Sequence, residues 1–310
     1  MTSKFYTPIS DRSSVESALA CTGLADWEPE KVPMFTSGGS EVQGHSLLTG
    51  IGQQQLDVIG LDHAIYTNRD MMTDMFRLGE QTNTKPCGVN VLKGGEDLLI
   101  HIPIRSFDIA GDTTDMYVSA RDNRCGKRSF ELSAVSYRLI CSNGMIISDV
   151  KGQIKNKHTV RFHDRLPDMY RAFQTALEQC DRIEDFSKRL AGWRTAGMAT
   201  NLSLVEQAHE LMSPKPKDTA AQKQKDRWER AKIAFVENVG EIYNSPTCQT
   251  EATRGTAFGI FNALTEYIDR PSNGRVKDRT AYRFTAESRG TKMKDDLVQL
   301  FESSLALASI

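Results

Sequence analysis

Residues 89–104 read VNVLKGGEDLLIHIPI. Two apolar, β-branched runs flank Lys93-Gly94-Gly95-Glu96. A Gly-Gly pair in that setting signals a two-residue hairpin, because glycine reaches the positive φ values of a tight reversal without a Cβ clash. In the second run Leu98, Ile100, Ile102 and Ile104 fall on one face, since side chains alternate along a strand. The β pattern extends both ways, through LDVIGLDHAIY (56–66) on one side and MYVSAR (116–121) and SFELSAVSYRLICSN (129–143) on the other. Asn143-Gly144 tolerates positive φ and is expected to end one strand at a sheet edge and start another, MIIS.

Beyond residue 165 the period changes from two to between three and four. Met169, Phe173, Leu177, Cys180, Ile183, Phe186 and Leu190 recur at helical spacing over 166–191. Ser203 with Glu206 reads as a capping box for SLVEQAHELM. Pro214 and Pro216 interrupt the chain in an exposed loop. A second stripe of Trp228, Ala231, Phe235, Val239 and Ile242 then stops at Asn244-Ser245-Pro246. Two further helices are expected at 256–268 and 292–308. The fold class is α+β: an antiparallel or mixed sheet with hairpins over 1–165, and a helical part over 166–310 with a basic hairpin or loop at 270–290, the two reading as one continuous globular unit.

The totals set limits. A chain of 310 residues with 39% hydrophobic residues can build a sizeable core. No run approaches the ~20 apolar residues of a bilayer span, and MTSKFYTPISDRSSVES lacks the apolar centre of a signal peptide, so a soluble intracellular protein is expected. Cys21, Cys87, Cys125, Cys141, Cys180 and Cys248 form no CxxC pair and read as reduced, mostly buried side chains. The net charge of −1 hides a division: residues 1–120 carry 8 Lys/Arg against 16 Asp/Glu, and residues 121–310 carry 31 against 24. Such a division can produce one acidic and one basic face.

No known catalytic pattern appears. The nearest approach to a phosphate loop, Gly126-Lys127-Arg128-Ser129, has Arg121 where the leading glycine belongs and Arg128 where Ser or Thr should follow the lysine. The histidines are isolated apart from His158 and His163, whose basic surroundings disfavour a metal cation. The expectation is a non-enzymatic protein with no metal and no cofactor.

Three groups of residues carry a family resemblance. GLADWEPEKVPMFTSGG (23–39) is followed by HAIYTNRDMM (63–72). YRLICSNGMII (137–147) leads into a basic segment ending Lys157-His158-Thr159. GTAFGIFNALTEYIDR (255–270) precedes KDRTAYRF and a lysine-bearing terminal helix. In order and spacing the chain resembles the phage- and plasmid-like proteins of the domain-of-unknown-function 932 family. The resemblance implies a mobile-element protein acting in the host cytoplasm and carries no residue-level roles. By fold plan alone, a hairpin sheet followed by helices with bases at their junction is similar to Rad52-type annealing proteins.

Three basic clusters are candidate phosphate contacts. The first is Lys151, Lys155, Lys157, Arg161 and Arg165, with one acid, Asp164, among them. The second, Lys215 to Lys232, alternates with Asp218, Asp226 and Glu229 and reads as a solvated face. The third, Arg270 to Lys294, holds Arg275, Lys277, Arg279 and Arg283 with the aromatics Tyr282 and Phe284, which suit stacking on unpaired bases and equally suit a core. The expected nucleic-acid-binding residues are Lys151, Lys155, Lys157, Arg161, Arg165, Arg275, Lys277, Arg279, Arg283 and Tyr282. The expected partner is single-stranded DNA, bound by a homo-oligomer. The alternative is a protein-binding module that counters a host defence factor through Glu28, Glu30, Asp57, Asp62, Asp70 and Asp74.

Overall fold

The computed structural model describes residues 6–128, 130–138, 143–147, 166–195, 202–270 and 289–308. Its centre is an antiparallel sheet of six strands in the order β1 (Thr7–Pro8), β5 (Gly88–Leu92), β6 (Asp97–Ile109), β7 (Asp112–Asn123), β8 (Glu131–Arg138) and β9 (Asn143–Ile147). A second sheet joins β2 (Glu30–Phe35), β3 (Glu41–Thr49) and β4 (Gln55–Gly60). Two helices lie in the N-terminal half, α1 (Val15–Thr22) and α2 (Asn68–Glu80). Among the described residues five follow the strands: α3 (Leu166–Gly192), α4 (Leu202–Met212), α5 (Gln222–Tyr243), α6 (Ala257–Asp269) and α7 (Arg289–Ala308). The chain is α+β, with hairpin sheets first and helices after them.

The alternation read from residues 98–104 decides which side of the main sheet is apolar. Leu98, Ile100 and Ile102 of β6 lie beside Val118 and Ala120 of β7, and these beside Leu132 and Ala134 of β8. Most of this face packs with Met71, Met72 and Met75 of α2 and with Met169, Phe173 and Ala176 of α3 in one buried cluster. Further along α3, Ile183, Phe186 and Leu190 join a second core with α4, α5, α6 and α7. Every position of the α3 stripe named above except Leu177 is buried, and Leu177 packs partly buried against the first cluster.

α6 is the hub of the helical part. Nearly all of its residues are buried, as expected of a helix that is apolar on most of its circumference. Phe261 stacks edge-on with Phe186 of α3 and Phe301 of α7, ring centres 5.3 Å apart in each case. Edge-to-face pairs place a positive ring edge on a negative ring face, which fixes the mutual orientation of three helices.

Several local expectations are corrected. The reversal at 93–96 has four residues, because Leu92 pairs with Asp97. Lys93, Gly94 and Gly95 take positive φ values in succession. The two-residue hairpin occurs between β6 and β7 instead. Ile109 pairs with Asp112 across Ala110 and Gly111, both at positive φ, so the turn is of the type that matches strand twist. Asp108 steadies it, accepting from the Gly111 amide at 2.8 Å and the Thr113 hydroxyl at 3.1 Å. Asn143 and Gly144 do not make a turn: they pair with Arg138 and Tyr137 as the first residues of β9. Ser203 is the second residue of α4 and so is not its N-cap. The strand read over 56–66 ends at Gly60.

α2 was not expected within a β-rich half. It starts where Thr67 accepts from the Asp70 amide at 3.0 Å, and Met71, Met72, Met75 and Leu78 make its buried stripe.

Candidate nucleic-acid interface

Lys151, Lys155, Lys157, Arg161 and Arg165 lie outside the described residues, as do Arg275, Lys277, Arg279, Tyr282 and Arg283. What the structure gives is the frame from which both segments leave. Segment 148–165 runs from the end of β9 to the start of α3, and segment 271–288 runs from the end of α6 to the start of α7. α6 and α7 each pack against β9 and against one another, so three of the four anchoring elements share one block.

The ends of the second segment are tied together. The Lys294 ammonium lies 2.6 Å from the Asp269 carboxylate, and both side chains are wholly buried. Arg270 pairs with Glu266, whose other oxygen accepts from the Thr247 hydroxyl at 3.0 Å. Lys294, counted in sequence among the surface bases, is therefore committed to the core, and Arg270 is held by a buried acid. Arg289 and Lys292 are the exposed bases on the first turn of α7.

The second basic cluster surrounds the connection between α4 and α5. Lys232 pairs with Glu206 at 3.0 Å, and Lys225 donates to the Asp218 carbonyl at 2.6 Å. Lys215, Lys217, Lys223, Arg227 and Arg230 are exposed.

Three of the six acids considered as a docking surface have internal work. Glu28 accepts from the Asn68 and Arg69 amides at 2.5 and 3.2 Å and so closes the N-terminus of α2, where carboxylates are stabilised by the unsatisfied amides. Asp74 accepts from the Tyr66 hydroxyl at 2.7 Å, and Asp57 pairs with Lys127 at 2.9 Å. Glu30 and Asp62 are exposed.

Two buried polar groups carry the chemistry that sequence reading missed. In the first, Arg124 donates to the Tyr66 carbonyl at 2.5 Å and to Asn68 Oδ1 at 2.8 Å, and lies over the Trp27 ring at 5.8 Å. The Asn68 amide donates to the carbonyls of Leu24 and Trp27, and His63 Nε2 is 2.8 Å from the Arg124 carbonyl. Burial lowers the Arg124 pKa, and Asp122 and Glu28 work against that fall. The segments 23–39 and 63–72, far apart in sequence, thus meet on a single guanidinium.

The second group sits on the opposite face of the main sheet. His101 is fully buried between Ser119 Oγ, 2.5 Å from Nδ1, and Asn90 Oδ1, 2.6 Å from Nε2. An amide oxygen can only accept, so Nε2 carries the proton and Nδ1 accepts from Ser119. Burial pushes the imidazole pKa down to about 3, so it is neutral. Tyr6 covers the ring at 5.3 Å. A Cβ on Gly88 would run into the Tyr6 ring, so glycine there is a packing requirement. Along the same face Arg121 pairs with Asp97 at 3.1 Å, both buried, and Asn123 donates to Asp97 at 2.9 Å. Burial works to raise the Asp97 carboxyl, but Arg121, Asn123 and Lys93 together outweigh it and hold it below the usual range.

Among the described residues no group of three or more His, Cys, Asp or Glu is arranged to hold a metal, and no helix is long and apolar enough to cross a membrane. Cys87, Cys125, Cys180 and Cys248 are buried, and Cys21 is half-buried. Burial pushes Cys125 and Cys180 up to about 12, so neither is a nucleophile at neutral pH.

No curated protein and no solved structure matches the chain. The family model described as domain of unknown function (DUF932) matches residues 55–294, from the start of β4 into α7, which covers most of the chain and both groups of anchoring elements. The chain belongs to the DUF932 family.

Proposed function

We propose that this chain is a single-stranded-DNA-binding protein of a phage or plasmid, an ATP-independent annealing or recombination mediator that works as a homo-oligomer. The observation that supports the reading is the common root of its two cationic segments. Segment 148–165 leaves from β9, and segment 271–288 leaves and re-enters through α6 and α7, which pack on that strand. The contacts proposed on these two segments are Lys151, Lys155, Lys157, Arg161, Arg165, Arg275, Lys277, Arg279, Arg283 and Tyr282.

The mechanism is electrostatic. Lys and Arg replace the counterions condensed on the phosphates, whose release favours binding, and Tyr282 offers a stacking surface that every base can use. No bond is made or broken, and no nucleotide is consumed. Rigid roots matter because a charged segment held at both ends gives up less conformational freedom on binding than one held at a single end. The buried Asp269–Lys294 pair joins α6 to α7, the helices on either side of the second segment.

Fluorescence anisotropy of a labelled single-stranded oligonucleotide, with a duplex of the same sequence as control and no nucleotide present, tests the reading. Tighter binding to the single strand, together with acceleration of complementary-strand annealing, is expected. Equal affinity for both forms, or none for either, overturns it.

A further inference from the structure

The outward face of α5 carries its charges in two blocks of opposite sign. Trp228, Phe235, Val239 and Tyr243 turn inward. On the other side Lys223, Arg227 and Arg230 are exposed near the start of the helix, and Glu237 and Glu241 near its end. Between the blocks lie Ala231 and Ala234, both exposed, and Ile233, which is 55% exposed. Residues 222–230 hold four bases against two acids, and residues 233–243 hold two acids and no base.

The two acids of the basic block are engaged within the chain. Asp226 accepts from the Gln222 side-chain amide at 2.7 Å. Glu229 lies 3.9 Å from Lys232, which pairs with Glu206 of α4 at 3.0 Å, so both belong to the α4 side of the helix. Lys225 is drawn back onto the Asp218 carbonyl at 2.6 Å. By contrast, Lys223, Arg227, Arg230, Glu237 and Glu241 make no ion pair among the described residues. Lys223 with Arg227, and Glu237 with Glu241, are like charges four residues apart, a spacing that destabilises a helix standing alone.

We propose that this face is a two-fold dimer contact, in which α5 packs antiparallel on α5 of a second copy of the chain. The order of charges along the face selects that occupant. With Ala231 opposite Ile233, Lys223 falls opposite Glu241, Arg227 opposite Glu237 and Arg230 opposite Ala234, while Asp226 meets Asn238. No like charges stand directly opposed, and the two-fold repeats each pair along a helix of 22 residues, ~33 Å. A parallel copy would set base against base, so the face complements itself in the antiparallel sense alone. The contact uses the same patch on both copies and closes at two. It rests on the proposed function for the assembly it serves, yet it forms without nucleic acid, so dimerisation and DNA binding can fail separately.

The test is sedimentation velocity of the purified full chain without nucleic acid, over a concentration series at low and at high salt, with thermal unfolding confirming that each variant is folded. The native chain is expected to form a dimer at low salt that dissociates as salt rises, because the exposed cross-pairs are screened. Arg227→Glu and Glu237→Arg, both at exposed positions, are each expected to sediment as monomers. An equimolar mixture of the two variants dimerises again, since each chain then meets an opposite charge at both ends of the contact. A double variant, Arg227→Glu with Glu237→Arg, dimerises with itself for the same reason. A native chain that is monomeric at every concentration in low salt overturns the proposal, and so does a dimer that survives both single substitutions. A mixture and a double variant that both stay monomeric overturn the antiparallel register.

Discussion

Replacing Lys294 by methionine removes one side of a buried ion pair. The ammonium lies 2.6 Å from the Asp269 carboxylate, and neither side chain reaches solvent. Removing one partner of a buried ion pair costs roughly 3–5 kcal/mol, because the remaining charge loses its counterion where water cannot replace it. Unfolding entropy near 2.1 cal/mol/K per residue gives about 0.65 kcal/mol/K for 310 residues. The midpoint of thermal unfolding should therefore fall by about 5–8 °C. Replacing both partners by apolar residues of similar size removes the stranded charge, so Asp269→Leu with Lys294→Met should recover more than half of the loss. Differential scanning calorimetry of the native chain, the single variant and the double variant reads all three. A Lys294→Met midpoint equal to the native one would show that the lysine is not buried against an acid. A double variant as unstable as the single would show that the charge pair is not the source of the loss.

Other outcomes follow from the buried polar groups. His101 is neutral in the fold with a pKa of about 3, against about 6.5 when unfolded, so the unfolded chain takes up a proton that the fold refuses. That term is fully present above pH 6.5 and is lost as pH falls toward 3, by about 5 kcal/mol in all; the stability gap between the native chain and His101→Gln in urea titrations should narrow over that range. Arg124→Met leaves Asn68 Oδ1 and the Tyr66 carbonyl without their donor and should cost roughly 3 kcal/mol, read as a lower urea midpoint at unchanged slope. Ala110 sits at φ 49° in the β6–β7 turn, a conformation asparagine adopts more readily, so Ala110→Asn should stabilise the chain by about 0.5–1 kcal/mol. Among the described cysteines, Cys21 should react with a thiol reagent in the native state, whereas Cys87, Cys125, Cys180 and Cys248 should react only on unfolding.

The parts of the fold legible in sequence were those set by periodicity. Leu98, Ile100 and Ile102 announced a strand face, and the spacing from Met169 to Leu190 announced α3, because in each case one side of the element is buried and the other is not. α2 was hidden by its setting: its methionines recur at helical spacing, yet they follow a β-branched run whose pattern was carried past Gly60. Asn143-Gly144 misled because the pair's tolerance of positive φ permits a turn without demanding one, and here both residues are paired in β9. At the candidate site, charge counting cannot tell a solvated lysine from a buried one. Lys294 sits in a basic run but belongs to Asp269, a pairing that only the packing of α7 on α6 creates. The Arg124 and His101 groups were equally invisible, since their members come together from segments tens of residues apart.

The central claim, electrostatic binding of single-stranded DNA, is tested most directly by the dependence of affinity on salt. Single-strand binding loses affinity with a log–log slope of about −0.7 per phosphate neutralised. If Lys151, Lys155, Lys157, Arg161 and Arg165 each contact one phosphate, this cluster alone contributes a slope of about −3.5. Lys155→Glu with Lys157→Glu should make the total slope shallower by about 1.4 and weaken binding at low salt. A steep slope in the native chain that flattens in the double variant is the result the account predicts. An affinity that barely changes with salt, or a slope that the two substitutions leave untouched, contradicts it.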